Sequence, residues 1–277
     1  ANNMKLTGRL HLVIDVIRPR FAPVLVALIV VLAGCSALAP DAPTTGNGSS
    51  ETPAPTEYPP GTDPTGIAEP ATVIETHQSL LANQSYAMTA SQGMEGGESS
   101  LDVTVKSNLE ERRAHASASG AGRLGGTELY ITEDAVYIKR DDGSSTEYQL
   151  QDPEVPFPVQ HRRQLGTGYL EAMLSAGVYE RTGHTSVGTT PVWEFSLTEL
   201  HTNQSSLANV TAAEGTILID EQGIIWRATL EFTADGPQDE PVSTRIDYRV
   251  DAVGEVTVTE PSWVTEATSA TGNRSSL

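Results

Sequence analysis

The chain has 277 residues and 29.4 kDa, with 36 acidic against 17 basic side chains, a formal net charge of −19 and a pI of about 4.6. A surface of that sign repels phosphate backbones, and the Arg pairs Arg112–Arg113 and Arg162–Arg163 lie among carboxylates, so nucleic acid is excluded as a partner. A single Cys allows no internal disulfide, no cysteine-built zinc site and no iron–sulfur cluster.

Of the basic residues only Lys5, Lys106 and Lys139 are lysines. Many carboxylates, scarce Lys and 5% aromatic residues resemble the proteins of extreme halophiles, where a strongly hydrated acidic surface stays soluble in molar salt.

From Met4 the chain begins with Lys5, Arg9, Arg18 and Arg20, followed by an apolar run from Phe21 to Gly34 broken by Pro23. About 20 apolar residues are needed to cross a bilayer, so this shorter run fits a signal-peptide core, residues 1–34. It ends in Leu32-Ala33-Gly34-Cys35, small residues directly before the lone Cys. This resembles a lipobox, which implies cleavage before Cys35 and lipid on its sulfur. The protein is then exported and anchored to the outer face of the cell membrane. One acyl chain anchors only marginally, so two chains or a diether-type lipid are expected. The mature chain keeps 13 basic against 35 acidic side chains.

Residues 35–66 are Pro, Thr, Gly, Ser and Asp with almost no large apolar residue, a composition that cannot form a core. They are read as a tether with a reach of roughly 30 Å. Residues 268–277 read as a tail in the same style.

Between them, residues 67–267 are patterned for one domain. An amphipathic helix is expected over Glu69–Asn83, with Val73, Ile74, His77, Leu80 and Leu81 on one stripe and Pro70 at its start. Leu101, Val103 and Val105 alternate with Asp102, Thr104 and Lys106, as a half-buried strand requires. Asp141-Asp142-Gly143 joins Val136–Arg140 to Thr146–Leu150 in a hairpin. A second helix is expected over Gln164–Ala176, with Leu165, Tyr169, Leu170, Met173 and Leu174 on its stripe. Trp193, Phe195 and Leu197 alternate with polar residues, as do Trp226, Ala228, Leu230 and Phe232, and Glu221-Gln222-Gly223 turns into that last strand. Val242 to Val250 closes the series in strict period two. The fold class is α+β, mainly β: one curved antiparallel sheet of seven to nine strands with two helices on its concave face.

The order of elements carries a resemblance. A polar tether leads to a helix ending Leu80-Leu81-Ala-Asn-Gln-Ser-Tyr86, then a meander containing Gly215-Thr-Ile-Leu-Ile-Asp-Glu-Gln-Gly-Ile-Ile-Trp226. It closes on Tyr248-Arg-Val-Asp-Ala-Val-Gly254 and Pro261-Ser-Trp-Val264. The chain resembles haloarchaeal surface lipoproteins whose domain is similar to the LolA and LppX type of lipoprotein carrier. The resemblance implies a half-open barrel whose apolar side holds an acyl chain or another hydrophobic ligand, such as a lipid or lipid-linked glycan.

Catalytic signatures are lacking: the His residues are scattered, there is no H-E-x-x-H or G-x-S-x-G, and Gly120-Ala-Gly-Arg-Leu-Gly-Gly126 lacks the Lys-Ser/Thr of a phosphate loop. No catalytic residue, metal site or cofactor is expected. The acidic turn Asp235–Glu240 does not follow EF-hand spacing. Sequons at Asn47, Asn83, Asn203, Asn209 and Asn273 are candidate glycan acceptors.

Trp193, Phe195, Trp226, Phe232, Tyr169 and Met173 are the candidate lining of a sheet–helix cavity. Trp193, Trp226 and Phe232 fall on one phase of their strands. If that interior is filled instead, the same domain is an envelope interaction protein or accessory subunit docking a membrane or envelope partner.

Overall fold

The computed structural model describes residue 55 and residues 57–94, 100–120, 126–201, 210–235 and 240–272. The signal segment, Leu32, Ala33, Gly34 and Cys35, most of the tether, and Asn47, Asn203, Asn209 and Asn273 lie outside them.

Helix α1 (Pro70–Leu81) leads into six strands, β1 (Tyr86–Met94), β2 (Ser100–Asn108), β3 (Arg113–Gly120), β4 (Gly126–Ile131), β5 (Val136–Asp141) and β6 (Thr146–Gln151). Helices α2 (Phe157–Arg163) and α3 (Thr167–Ser175) follow. Then come β7 (Gly177–Val187), β8 (Thr190–Leu200), β9 (Val210–Ile219), β10 (Ile225–Asp235), β11 (Pro241–Val253) and helix α4 (Val264–Gly272).

The strands form one antiparallel sheet in the order β6-β5-β4-β3-β2-β1-β11-β10-β9-β8-β7, with β6 and β7 as its edges, so the sheet is not closed. This is a mainly β fold with few helices. Among the described residues eleven strands replace the expected seven to nine.

The order explains where the helices sit. The chain leaves one edge at β6 and re-enters at the other edge with β7, so α2 and α3 must travel across a face of the sheet. Together with α1 they cover that face, the inner one. Tyr86, Met88, Leu165, Leu170, Met173, Phe195, Ile217 and Tyr248 are buried there in one cluster.

Both expected helices form, and two more appear. Helix α2 lies in a Pro-rich stretch, and Pro158 falls in its first turn, where a missing N–H costs nothing. Gly166, in the left-handed conformation with φ of +63°, separates α2 from α3, so the second expected helix starts at Thr167 rather than Gln164.

Helix α4 lies on the opposite, outer face, where Trp263, Val264 and Ala267 bury Tyr130 of β4, flanked by Tyr137 and Tyr148. It continues five residues past 267, into the stretch read as tail. The alternation of Leu129 and Ile131 with Tyr130 gives the sheet an apolar residue on each side here, and Trp263 supplies the cover.

The last ten residues of the expected tether, 57–66, are also packed on the domain. Gly66 bridges to Glu180 of edge strand β7, and Ile67 N–H donates to Tyr179 O. Tyr58 stacks on Trp193 with ring centroids 5.0 Å apart, Trp193 Nε1–H donates to Glu57 O at 2.8 Å, and the Arg181 guanidinium sits 5.4 Å from the Trp193 ring. This strap also satisfies part of an otherwise open sheet edge.

Candidate functional site

Cross-strand pairing sorts the inner face into two ends. The proximal end carries the strap, the Asp220–Gly223 turn and α1. The distal end carries the hairpin ends of β1–β2, β3–β4, β8–β9 and β10–β11.

The proximal interior is closely packed and most of its polar groups are paired. The Ile225 N–H donates to His77 Nδ1 at 3.1 Å, which leaves Nε2–H to donate to the Tyr248 hydroxyl at 2.9 Å; that hydroxyl donates to Leu165 O at 3.2 Å. One chain of bonds thus ties α1, β10, β11 and the α2–α3 link. Burial holds the His77 imidazole neutral, with its pKa pushed down to about 3.

His161 repeats the arrangement. Ser107 Oγ–H donates to its Nδ1 at 2.7 Å, its Nε2–H donates to Leu81 O at 3.1 Å, and Tyr86 donates to its carbonyl at 2.7 Å. Burial also lowers its pKa, and the bonds offset only part of that. Asp220 closes the β9–β10 turn by accepting from the Gln222, Gly223 and Ile224 N–H groups. Gly223, at φ of +105°, lies against α1, and a Cβ there would meet Thr76 at 2.6 Å.

All six candidate cavity residues belong to the main core or pack against it. Phe195 and Met173 are fully buried core. Trp193 is capped by the strap. Trp226 is displaced by a β-bulge: Ile225 pairs with Ile219 and Arg227 with Leu218, so Ile225, not Trp226, takes the regular inner position. The Trp226 indole N–H donates to Asp220 at 2.8 Å, which fixes it at the turn. The extra residue breaks strict period two at Trp226, but its ring still packs against the same core as Trp193 and Phe232.

Tyr169 and Phe232 behave differently, being only partly buried against the main core. Phe232 pairs with Ala213 and Thr244 at the distal end. Tyr169 is on α3, and burial and the Asp102 charge both push its phenol pKa up. Around them the inner face is built of small or half-exposed apolar groups. Ala90 pairs with Val103, and Val103 with Ala118. Val103 and Ala213 are partly buried, and on β11 Thr244, paired with Phe232, is more exposed than Ile246. The distal halves of β2, β3, β9 and β10 thus present small and partly buried apolar residues on the inner face, the candidate apolar trough.

A second concavity, of about 440 Å³, lies at the outer side of the same strand ends, with Ser91, Asp102, Glu231, Ser243, Arg245 and Asp247 in its lining. Arg245 is held there by Asp247 at 2.7 and 2.8 Å and by Glu231 at 3.2 Å. Its lining mixes charged and hydroxyl groups with Gly93 and the exposed Met94. Among the described residues no group of three or more His, Cys, Asp or Glu is placed to hold a metal ion. Asn83 is exposed; its side-chain N–H donates to Ser79 O at 2.7 Å and ties the end of α1.

The sequence does not single out Ala90, Val103, Ala118 and Ala213 as site residues. Small residues on a strand carry no signal until pairing places them side by side opposite a helix.

A family model described as "Family of unknown function (DUF7537)" matches residues 20–267. The chain belongs to that family. No curated protein matches it. Among solved structures, LprF from Mycobacterium bovis is similar at 14% identity and a TM-score of 0.36, covering 71% of this chain and 98% of that one. Pseudomonas aeruginosa MucB, solved in complex with MucA, is similar at 9% identity and a TM-score of 0.30, covering 70% and 59%. A DUF1329 family protein from Desulfovibrio piger is similar at 8% and 0.24, covering 75% and 99%.

Proposed function

We propose that this protein is a non-catalytic binding module of a halophilic archaeon, anchored by lipid on Cys35 to the outer face of the cell membrane. Its distal trough holds a hydrophobic ligand, a lipid or lipid-linked glycan. The observation that carries the ligand reading is the contrast within one face: closely packed, mostly paired groups at the proximal end, and partly buried apolar residues, Tyr169 and Phe232 among them, at the distal end. An apolar concavity beside a rigid frame is the usual form of a site for a hydrophobic ligand. The run Phe21–Gly34 and the Leu32–Cys35 motif support export and anchoring.

Native mass spectrometry of the full chain, purified from its host in high salt and followed by organic extraction, tests the ligand reading. A stoichiometric apolar adduct is expected. An empty protein that also takes up no fluorescent acyl probe contradicts it. Cys35→Ser tests the anchor: release into the medium or failure to process is expected, and unchanged membrane retention with normal processing contradicts it.

A second reading, an envelope interaction protein or accessory subunit, is favoured by the solid packing of Phe195, Met173 and Trp193. It predicts an empty trough and a membrane or envelope partner recovered by crosslinking in intact cells.

A further inference from the structure

The trough has an inner end with unusual chemistry, whose role in binding depends on the trough itself holding a hydrophobic ligand. Phe157, Gln160, His161 and Gln164 recur at the spacing of one helix side on α2 and the residue that ends it. The first three are 1–2% exposed. His161 bonds Ser107 of β2, whose neighbour across the sheet is Ala114 of β3, so this side of α2 faces β2 and β3. The next inner positions along β3 are Ala116 and Ala118, which lead directly into the trough.

His161 is fully satisfied, but its neighbours are not. Gln160 Nε2–H donates to Val155 O at 3.0 Å, while Gln160 Oε1 has no partner. Both Oε1 and Nε2 of Gln164 are shut away from solvent and also have none. Buried amide atoms without partners cost stability, and native folds hold few of them. Here three such atoms lie within one helical turn, on the side of α2 that faces the strands carrying Ala114, Ala116 and Ala118.

We infer that Gln160 and Gln164 form the polar terminus of the trough and select an uncharged lipid, a long apolar chain ending in a hydroxyl group. The hydroxyl donates to Gln160 Oε1 or Gln164 Oε1 and accepts from Gln164 Nε2–H, while the chain runs past Ala116 and Ala118 toward Phe232. An ionised head group does not fit. The buried polar residues on this side are Ser107, Gln160 and His161, with the imidazole held neutral, so nothing offsets a buried carboxylate or phosphate.

The test uses the full chain and two probes of equal length, hexadecanol and hexadecane, delivered from cyclodextrin and counted by native mass spectrometry. The wild type is expected to retain the alcohol at least ten-fold better than the alkane. The double variant Gln160→Leu, Gln164→Leu is expected to bind both alike, with a thermal midpoint at or above that of the wild type because the unpaired amides are gone. Gln164→Met, of similar length, carries the same comparison should the double variant not fold. Equal binding of both probes by the wild type overturns the polar terminus and leaves the trough standing, as does a preference for alcohol that survives the substitutions. Failure of both probes to bind overturns the trough itself.

Discussion

The two ends of the inner face are built from the same strands and differ in what lies over them. At the proximal end α1 and the α2–α3 link press Leu81, Leu165 and Tyr248 together, and two neutral imidazoles join the layers by hydrogen bonds. At the distal end α3 departs toward edge strand β7, and residues of the same alternation stay half exposed. A sheet of this length is longer than three short helices can cover. The uncovered remainder is where a ligand has room, and the covered part supplies the rigid frame.

That contrast predicts unequal responses to truncation. Phe195→Ala, in the solid part, is expected to lower stability by about 4 kcal/mol, read as a shift of the urea midpoint, because the surrounding core cannot collapse into the void. A loss below about 1 kcal/mol would show that the proximal interior is not tightly packed.

Acid is expected to act through the same end. His77 is neutral in the folded chain to about pH 3, whereas in the unfolded chain it takes up a proton below about pH 6.5. The unfolded state thus binds more protons between those values, so stability falls as pH drops through that window, by about 1.4 kcal/mol per unit from this residue. Denaturant titrations at pH 7 and pH 4.5 read this directly. The variant His77→Gln is less stable at pH 7 but is expected to lose the His77 part of the slope. An unchanged slope would place the proton elsewhere.

Phe232→Ala, at the distal end, is expected to cost only about 1 kcal/mol, since the side chain is partly solvated already, yet to weaken uptake of an acyl probe several-fold. A loss of stability equal to that of Phe195→Ala, with uptake intact, would erase the distinction between the ends. The smallest effect is expected on the outer face. Tyr130 is buried under Trp263 and α4, and its hydroxyl has no partner, so Tyr130→Phe is expected to change stability by less than about 0.5 kcal/mol or to raise it. A large loss there would reveal a bond to that hydroxyl.

Much of this architecture is legible in the sequence. Period two in Val242–Val250 and Leu101–Lys106 marks strands, and Glu221-Gln222-Gly223 marks its turn, because each depends on local spacing and on a Gly with positive φ. His77 sits on the predicted stripe of α1, yet its role needs Ile225 and Tyr248, more than 140 residues away in sequence. Trp226 misleads because a bulge adds one residue and breaks the phase. The covering of Tyr130 by α4 is hidden because Val264–Gly272 is poor in apolar residues and gains its burial from contacts with β5 and β6. The trough is the least legible part, since its alanines become a surface only when β2 and β3 pair.

The most direct measurement is photolabelling of the full chain with a diazirine-bearing long-chain alcohol, followed by peptide mapping. The expected result is saturable labelling, competed by unlabelled alcohol, on peptides that contain Tyr169, Phe232 or Val103. Labelling that does not saturate, or that falls on Tyr137 and Tyr148 of the outer face, would contradict a hydrophobic site in the distal trough.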